Sequence, residues 1–364
     1  MAKRASADRW LFGVTLLMVF AGLVMVFSAS AIVAKEKFGS ETAFLFKQSV
    51  YALLGLGAMF GFMRLDYRKL NQPALVFTTL GVTSLLLAAV FFLDRSHNTH
   101  RWIKLGGLFS FQPSELAKPA IILFMAHFLE SRLRSITDLR HTLLPAVAPT
   151  AVFCVLIVAQ PDLGTAMACA FITAAILFIS GMEWRYYLWA LGLSAVPLYF
   201  LLFRTAWRAR RLVAFIDPFA DPQGAGFHII QSLIAVGTGG LTGLGLMEGK
   251  QKLFYLPEPQ TDFIFAVISE ELGLIGAVCI VAAFAFFCYR GLRAAWNTRD
   301  NFARLLAIGI TAMIGIQAFF NISVVLGLLP TKGIPLPFIS YGGSSLIVTL
   351  ASVGVLLNIT QQTD

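Results

Sequence analysis

Ten apolar runs, each long enough or nearly long enough to cross a bilayer, succeed one another along this chain and leave little sequence for anything else. They extend over Leu11 to Val33, Phe44 to Met63, Ala74 to Leu93, Leu116 to Leu129, Leu143 to Gln160, Leu163 to Met182, Trp184 to Phe203, Phe263 to Tyr289, Leu305 to Leu329 and Ile339 to Ile359. A crossing helix needs about 20 consecutive apolar residues. The fourth run is the shortest and carries Glu115 and Lys118 at its start. Composition excludes the soluble alternative: 58% of the 364 residues are apolar and only 13% are charged, against roughly a quarter charged in an average globular domain. So few charges cannot clothe a water-facing surface of this size. The expected fold is an all-α polytopic membrane protein with ten transmembrane helices and one long extramembrane loop, about residues 204–261.

Ten crossings put both ends of the chain on one side. Lys3, Arg4 and Arg9 precede the first run in the manner of a signal peptide, but its apolar core is too long and no convincing small-residue cleavage site follows, so it reads as a retained helix. With the long loop set aside, 14 Lys and Arg residues fall on the side of the N-terminus and eight, Arg95 among them, on the other. The positive-inside rule then makes the N-terminus cytoplasmic. The net charge of +9 comes with no basic run interleaved with aromatics, which argues against nucleic acid as a partner. Cys154, Cys169, Cys279 and Cys288 lie in apolar stretches at spacings that fit neither a metal site nor a disulfide framework; they read as packing residues.

The long loop contains an apolar, glycine-rich stretch, GFHIIQSLIAVGTGGLTGLGL from Gly226 to Leu246. Such a stretch suggests a short amphipathic or re-entrant piece folded back onto the bundle. Its glycines match no nucleotide-binding fingerprint, since Thr242 stands where a GxGxxG motif needs glycine.

Ionisable groups in or at the mouth of a membrane bundle are costly, so each is a functional candidate. Arg101 stands beside Trp102, as an interfacial anchor would. Glu115 and Lys118, three apart, share a helix face; they read equally as a buried ion pair that orients the helix and as a substrate contact. Asp162, in the turn Gln160-Pro161-Asp162-Leu163-Gly164-Thr165, is most simply the cap of the following helix. In Leu256-Pro257-Glu258-Pro259-Gln260-Thr261-Asp262, Pro259 and Thr261 already supply turn and cap chemistry, leaving Asp262 free to point into a cavity. Glu270 and Glu271 follow eight and nine residues on; on a continuous helix that is roughly 12 to 14 Å deeper. Three prolines hold an extended segment around Lys332, and the Gly342-Gly343-Ser344-Ser345 step lets backbone approach something closely. Ser344 and Ser345 read equally as helix-packing residues.

The stretches RWIKLGGLFSFQPSELAKPA, QPDLGTA, AFIDPFADPQGAGFHIIQSLIAVGTGGLTGLGL, LPEPQTDFIFAVISEELG and GLLPTKGIPLPFISYGGSSL, in that order from about Arg101 to Leu346, resemble the successive signatures of the SEDS family (shape, elongation, division and sporulation proteins). The last stretch is more similar to the division and sporulation branches than to the elongation branch. The resemblance implies a ten-helix glycosyltransferase of the bacterial cytoplasmic membrane, its active site facing outward. Its substrate would be lipid II, the undecaprenyl-pyrophosphate-linked disaccharide-peptide, polymerised into glycan strands beside a class B penicillin-binding protein and other divisome membrane proteins. It implies that Asp262 is the essential acid. Arg101, Glu115, Lys118, Asp162, Arg210, Arg211, Glu271, Lys332, Ser344 and Ser345 carry over as substrate-binding positions.

The residue inventory suits that chemistry. Glycan extension needs a base for the acceptor's 4-hydroxyl, which burial could make of Asp262. It also needs positive charge for the departing pyrophosphate, available from Arg101, Lys118, Arg210 and Lys332, with a divalent cation, magnesium or manganese, as the one further helper admitted and no organic cofactor. The competing readings are a lipid II flippase or other transporter, a sidewall-elongation polymerase, and a scaffold that only positions a penicillin-binding protein. The crowding of the candidates at the outer mouth favours the enzyme over a carrier.

Overall fold

The computed structural model describes residues 7–94, 100–105, 109–253 and 255–362. Lys3, Arg4 and Arg95, counted above for orientation, lie outside them. All ten apolar runs are helical: α1 (Arg9–Phe38), α2 (Ala43–Arg64), α3 (Pro73–Leu93), α4 (Pro113–Glu130), α5 (Leu144–Ala159), α6 (Leu163–Ile179), α7 (Trp184–Phe203), α10 (Ile264–Asn297), α11 (Asn301–Val325) and α12 (Gly343–Gln361). The long loop supplies the other two, α8 (Ala206–Ile216) and α9 (Phe227–Thr238). Among the described residues, eight of the helices are long and apolar enough to cross a membrane. The remaining two expected crossings are α6, at 17 residues, and α4, whose Glu115, Lys118 and Glu130 make it more polar. Two short antiparallel strands, β1 (Ile103–Leu105) and β2 (Phe109–Phe111), are the exception to the helical fold.

The bundle is organised by burial rather than by amphipathic stripes. Helices α4, α11 and α12 are buried nearly all round, whereas α7 buries no residue at all. Leu85, Phe92, Trp189 and Leu193 stand out from the bundle on α3 and α7, an apolar exterior that water would not tolerate and hydrocarbon does. At one end, Asp8 caps α1 through the Trp10 and Leu11 amides, pairs with Arg290 of α10, and donates from its own amide to the Thr360 hydroxyl of α12. Both ends of the chain are therefore at the same end of the bundle. Asn358 adds a second latch there, accepting from the Tyr67 amide and donating to the Met63 carbonyl.

At the opposite end, α10 departs from the expected straight span. It runs antiparallel to α11, with Gly291 against Thr311 and Gly315 against Cys288. A continuous helix would carry residue 262 about 39 Å beyond Cys288, yet Asp262 accepts a hydrogen bond from Asn321, only about 9 Å along α11 from Gly315 at 1.5 Å per residue. The chain reverses at Gly273, whose φ of 65° and ψ of −165° are not helical. Residues before it fold back into the bundle, and only those after it cross. Glu270 and Glu271, expected deeper than Asp262, thus lie nearer the loop end, because the first segment climbs away from Asp262 to the break.

Breaking a helix orphans its backbone groups. The glycine-rich loop satisfies them: the Leu244 and Gly245 amides donate to the Glu270 and Glu271 carbonyls, and the Leu274 and Ile275 amides donate to the Gly240 and Leu241 carbonyls. This is the folded-back piece the sequence suggested. Gly273 is required there, since a side chain would meet the Gly243 nitrogen at 2.3 Å on top of the left-handed φ.

Candidate active site

A cavity of about 240 Å³ opens at this end, walled by the start of α6, by α7, α8 and α11, and by the segment from Leu329 to Ile334. Its lining includes the apolar residues Leu198, Leu202, Phe320 and Val324 and the cations Arg101, Arg208, Arg211 and Lys332. Among the described residues none of the four cations forms an ion pair. Arg101 is held by the Gln160 and Pro161 carbonyls, and its own amide donates to Asp94. Arg208 and Arg211, one helical turn apart on α8, both lie over the Trp207 ring, at 5.1 and 5.0 Å. Burial lowers the pKa of both guanidinium groups, and the Arg101 charge lowers it further. Burial brings the Lys332 ammonium down to about 8, against the opposing pull of Asp162.

Asp262 adjoins this wall. Its Oδ2 would stand 2.8 Å from a β-carbon on Gly333, a lining residue. Burial, reinforced by the charges of Glu258 and Asp162, raises its pKa to about 7, while Arg101 and Arg211 pull the other way. The α10 segment that follows has no side-chain cap, so the carboxyl is not spent on the helix terminus. His228 of α9 lies nearly parallel to Phe263 with ring centroids 6.0 Å apart; burial and Arg211 keep its pKa low.

The other expected positions divide. Asp162 both lines the cavity and caps α6, accepting from the Thr165 amide at 3.1 Å and hydroxyl at 2.8 Å. Gln112 donates to it from its side chain at 3.3 Å, and its backbone amide donates to the Ser344 hydroxyl oxygen. Ser344 and Ser345 are buried in the first turn of α12 and do not line the cavity. Glu115 and Lys118 form the buried ion pair, 2.8 Å long, with Gln317 accepting from Lys118 at 3.0 Å; neither reaches the cavity wall. Arg210 is exposed and off the wall, because on α8 the face that holds Arg211 also holds Arg208, three residues earlier, and turns Arg210 away. Glu271 is fully buried between Ser28 and Lys252, with the Lys252 pair at 2.6 Å and the Met247 amide as a third donor. It anchors the glycine-rich loop and is closed off from the cavity.

The family described as cell cycle protein, FtsW/RodA/SpoVE, matches residues 8–364. The chain belongs to the FtsW/RodA/SpoVE family. It is 46% identical to the probable peptidoglycan glycosyltransferase FtsW of Geobacter sulfurreducens (strain DL-1 / KN400), over 93% of this chain and 91% of the relative. It is 42% identical to stage V sporulation protein E of Bacillus subtilis (strain 168), over 99% and 98%. Among solved structures, it is similar to a chain from work on the structural coordination of polymerization and crosslinking by a peptidoglycan synthase complex, with a TM-score of 0.80 and 32% identity over 98% of this chain and 99% of that one. The Rod shape determining protein RodA of Thermus thermophilus gives a TM-score of 0.70 and 29% identity, with 98% of each chain covered.

Within this FtsW/RodA/SpoVE chain, no group of three or more His, Cys, Asp or Glu side chains could hold a metal among the described residues. Asp162 already spends both oxygens on neighbours, and the other charged groups on the wall are cations. The donor set therefore does not fit a protein-held divalent cation. Three residues at or beside the site escaped the sequence reading: Arg208, His228 and Asn321. The first was legible in its spacing from Arg211, and the third as a polar residue inside an apolar run. His228 carried no local signal.

Proposed function

We infer that this member of the FtsW/RodA/SpoVE family is a peptidoglycan glycosyltransferase that polymerises lipid II, with Asp262 as its general base. The observation that carries this reading is a single carboxyl, brought near neutrality by burial, beside a cavity lined by four unpaired cations. An aspartate with a pKa of about 7 is about half deprotonated at neutral pH and is basic enough to take a hydroxyl proton in the transition state.

Asp262 takes the proton of the acceptor's 4-hydroxyl as that oxygen bonds to the anomeric carbon of the donor. The bond from that carbon to the pyrophosphate oxygen breaks, and the lipid pyrophosphate leaves with the electron pair. Arg101, Arg208, Arg211 and Lys332 offset the charge that develops on it. One carboxylate on the acceptor side and a good leaving group favour a single inverting displacement. The apolar part of the lining, Leu198, Leu202, Phe320 and Val324 among it, matches the lipid portion of an amphiphilic donor. A magnesium or manganese ion, if used, would arrive on the pyrophosphate rather than on protein ligands.

In this reading the loop end of the bundle faces the exterior and both termini face the cytoplasm, following the Lys and Arg bias. The partner is a class B penicillin-binding protein within the divisome, and the role is septal. The resemblance to FtsW and the likeness to a chain of a peptidoglycan synthase complex support that assignment. Gathering of the cationic wall at one end supports polymerisation over transport, since a flippase needs polar sites reachable from both faces. Purified protein with its partner should make glycan polymer from lipid II on a gel, and Asp262→Asn should abolish it while still co-purifying with the partner. Full activity in the variant overturns the base assignment. Movement of labelled lipid II between liposome leaflets, with no polymer and no dependence on Asp262, would turn the reading to a flippase.

A further inference from the structure

The backbone that carries Asp262 is pinned in an unusual way. Three consecutive carbonyls ahead of α10 each accept a hydrogen bond from the stretch between Asn321 and Tyr341. The Tyr341 amide donates to Gln260 at 2.8 Å, the Ser340 hydroxyl to Thr261 at 2.6 Å, and the Asn321 side-chain amide to Asp262 at 2.8 Å. The same Asn321 nitrogen donates its second hydrogen to the Ile334 carbonyl at 2.7 Å. One buried amide group thus ties the segment bearing Asp262 to the segment bearing Lys332 and Gly333.

The orientation of that amide is dictated. Turning it over would set Oδ1 against two carbonyl oxygens. As it stands, Oδ1 is buried and has no partner among the described residues. A buried orphan acceptor is unfavourable; a leucine of similar volume would remove it but would strand the Asp262 and Ile334 carbonyls instead. The arrangement makes sense where the two donated bonds matter more than the orphan.

We infer that Asn321, with Ser340 as its neighbour in the latch, is a positioning residue for polymerisation: it holds the Asp262 carboxyl against the cationic wall by joining the segment that bears Asp262 to the one that bears Lys332. This rests on the reading of Asp262 as the base. Without the latch the cradle of Arg101, Arg208 and Arg211 stays in place, because none of those residues is held by Asn321. Donor binding should persist while the base drifts from its working position.

The experiment compares Asn321→Leu, Ser340→Ala and Asp262→Asn in the full chain with its cross-linking partner, following polymer from lipid II across pH. Asn321→Leu should lower kcat by about ten- to a hundredfold, the scale of a roughly 1 Å misplacement, with KM changed by no more than about twofold. Its acid limb should move away from its position in the unmodified protein, since the burial that raises the carboxyl's pKa and the Arg101 and Arg211 charges that lower it both depend on where it is held. Ser340→Ala should change the same quantities in the same directions, and it serves alone if Asn321→Leu does not fold. A folded latch variant with wild-type kcat overturns the inference. So does a loss that appears in KM or in thermal midpoint with the acid limb unmoved, which is what a merely structural residue would give. If Asp262→Asn still polymerises, the base assignment itself has failed; if it is inactive while the latch variants behave as wild type, only the present inference has.

Discussion

Gly333 presents a bare α-carbon to Asp262, so closely that a methyl group there would stand 2.8 Å from Oδ2. The two residues are 71 positions apart, and their approach is what sets the carboxyl against the wall that carries Lys332. Gly333 has no positive φ, so alanine is tolerated by the backbone and its cost falls on the carboxyl. Gly333→Ala should leave the protein folded and able to bind its partner, and should lower the polymerisation rate by about tenfold or more through displacement of the base. Gel quantification of polymer against time checks it; an unchanged rate would mean that the carboxyl has room to spare.

The pH dependence follows from the signs of two shifts. Asp262, raised to about 7, must be deprotonated to act, so activity falls as pH drops through that value. Lys332, lowered to about 8, must stay protonated to offset pyrophosphate charge, so activity falls as pH rises through that value. A narrow bell with limbs near 7 and 8 is expected in kcat/KM, which reports the groups of the free protein. Lys332→Arg keeps its charge at any relevant pH and should move the alkaline limb upward while leaving the acid limb in place. A rate that keeps rising above pH 9 in the unmodified protein would remove Lys332 from the mechanism.

Helical phase on α8 separates three neighbouring arginines. Arg208→Ala and Arg211→Ala should raise the KM for lipid II several-fold, each by the loss of a partly desolvated cation from the cavity. Arg210→Ala, which removes a side chain that does not line the cavity, should behave as the unmodified protein. Steady-state kinetics on the three variants in parallel decides the matter, and an Arg210 effect as large as the others would show that α8 rotates when substrate binds.

The buried Lys252–Glu271 pair is a matter of stability. Lys252→Met strands the Glu271 carboxylate beside Ser28, and breaking such a pair costs about 3–5 kcal/mol. A lowered thermal midpoint in detergent is expected. Adding Glu271→Gln should recover much of it by removing the uncompensated charge, with the KM for lipid II unchanged from the unmodified protein. A KM change in the stable double variant would restore Glu271 to the substrate site.

How far the chain could be read varies residue by residue. The ten apolar helices were legible because a helix in hydrocarbon satisfies its own backbone, so length and apolarity decide it locally. Asp162 as a cap was legible for the same reason, its partner Thr165 being three residues away. Asp262 could be singled out as free of capping duty from its neighbours alone. Arg210 was carried over beside Arg211 and Arg208 was not singled out, because the phase of a short amphipathic helix depends on which face meets the bundle. Glu271 was assigned to substrate because its partners, Ser28 and Lys252, come from distant or looped-back chain.

Membrane class, helix count and the identity of the acidic candidate thus follow from composition and short-range pattern, since hydrocarbon punishes every unpaired backbone group and every stray charge wherever it occurs. The reversal at Gly273, the Asn321 tie and the meeting of Asp262 with Gly333 do not. They depend on contacts between segments dozens of residues apart, and local pattern carries no measure of which distant carbonyl a buried amide will find.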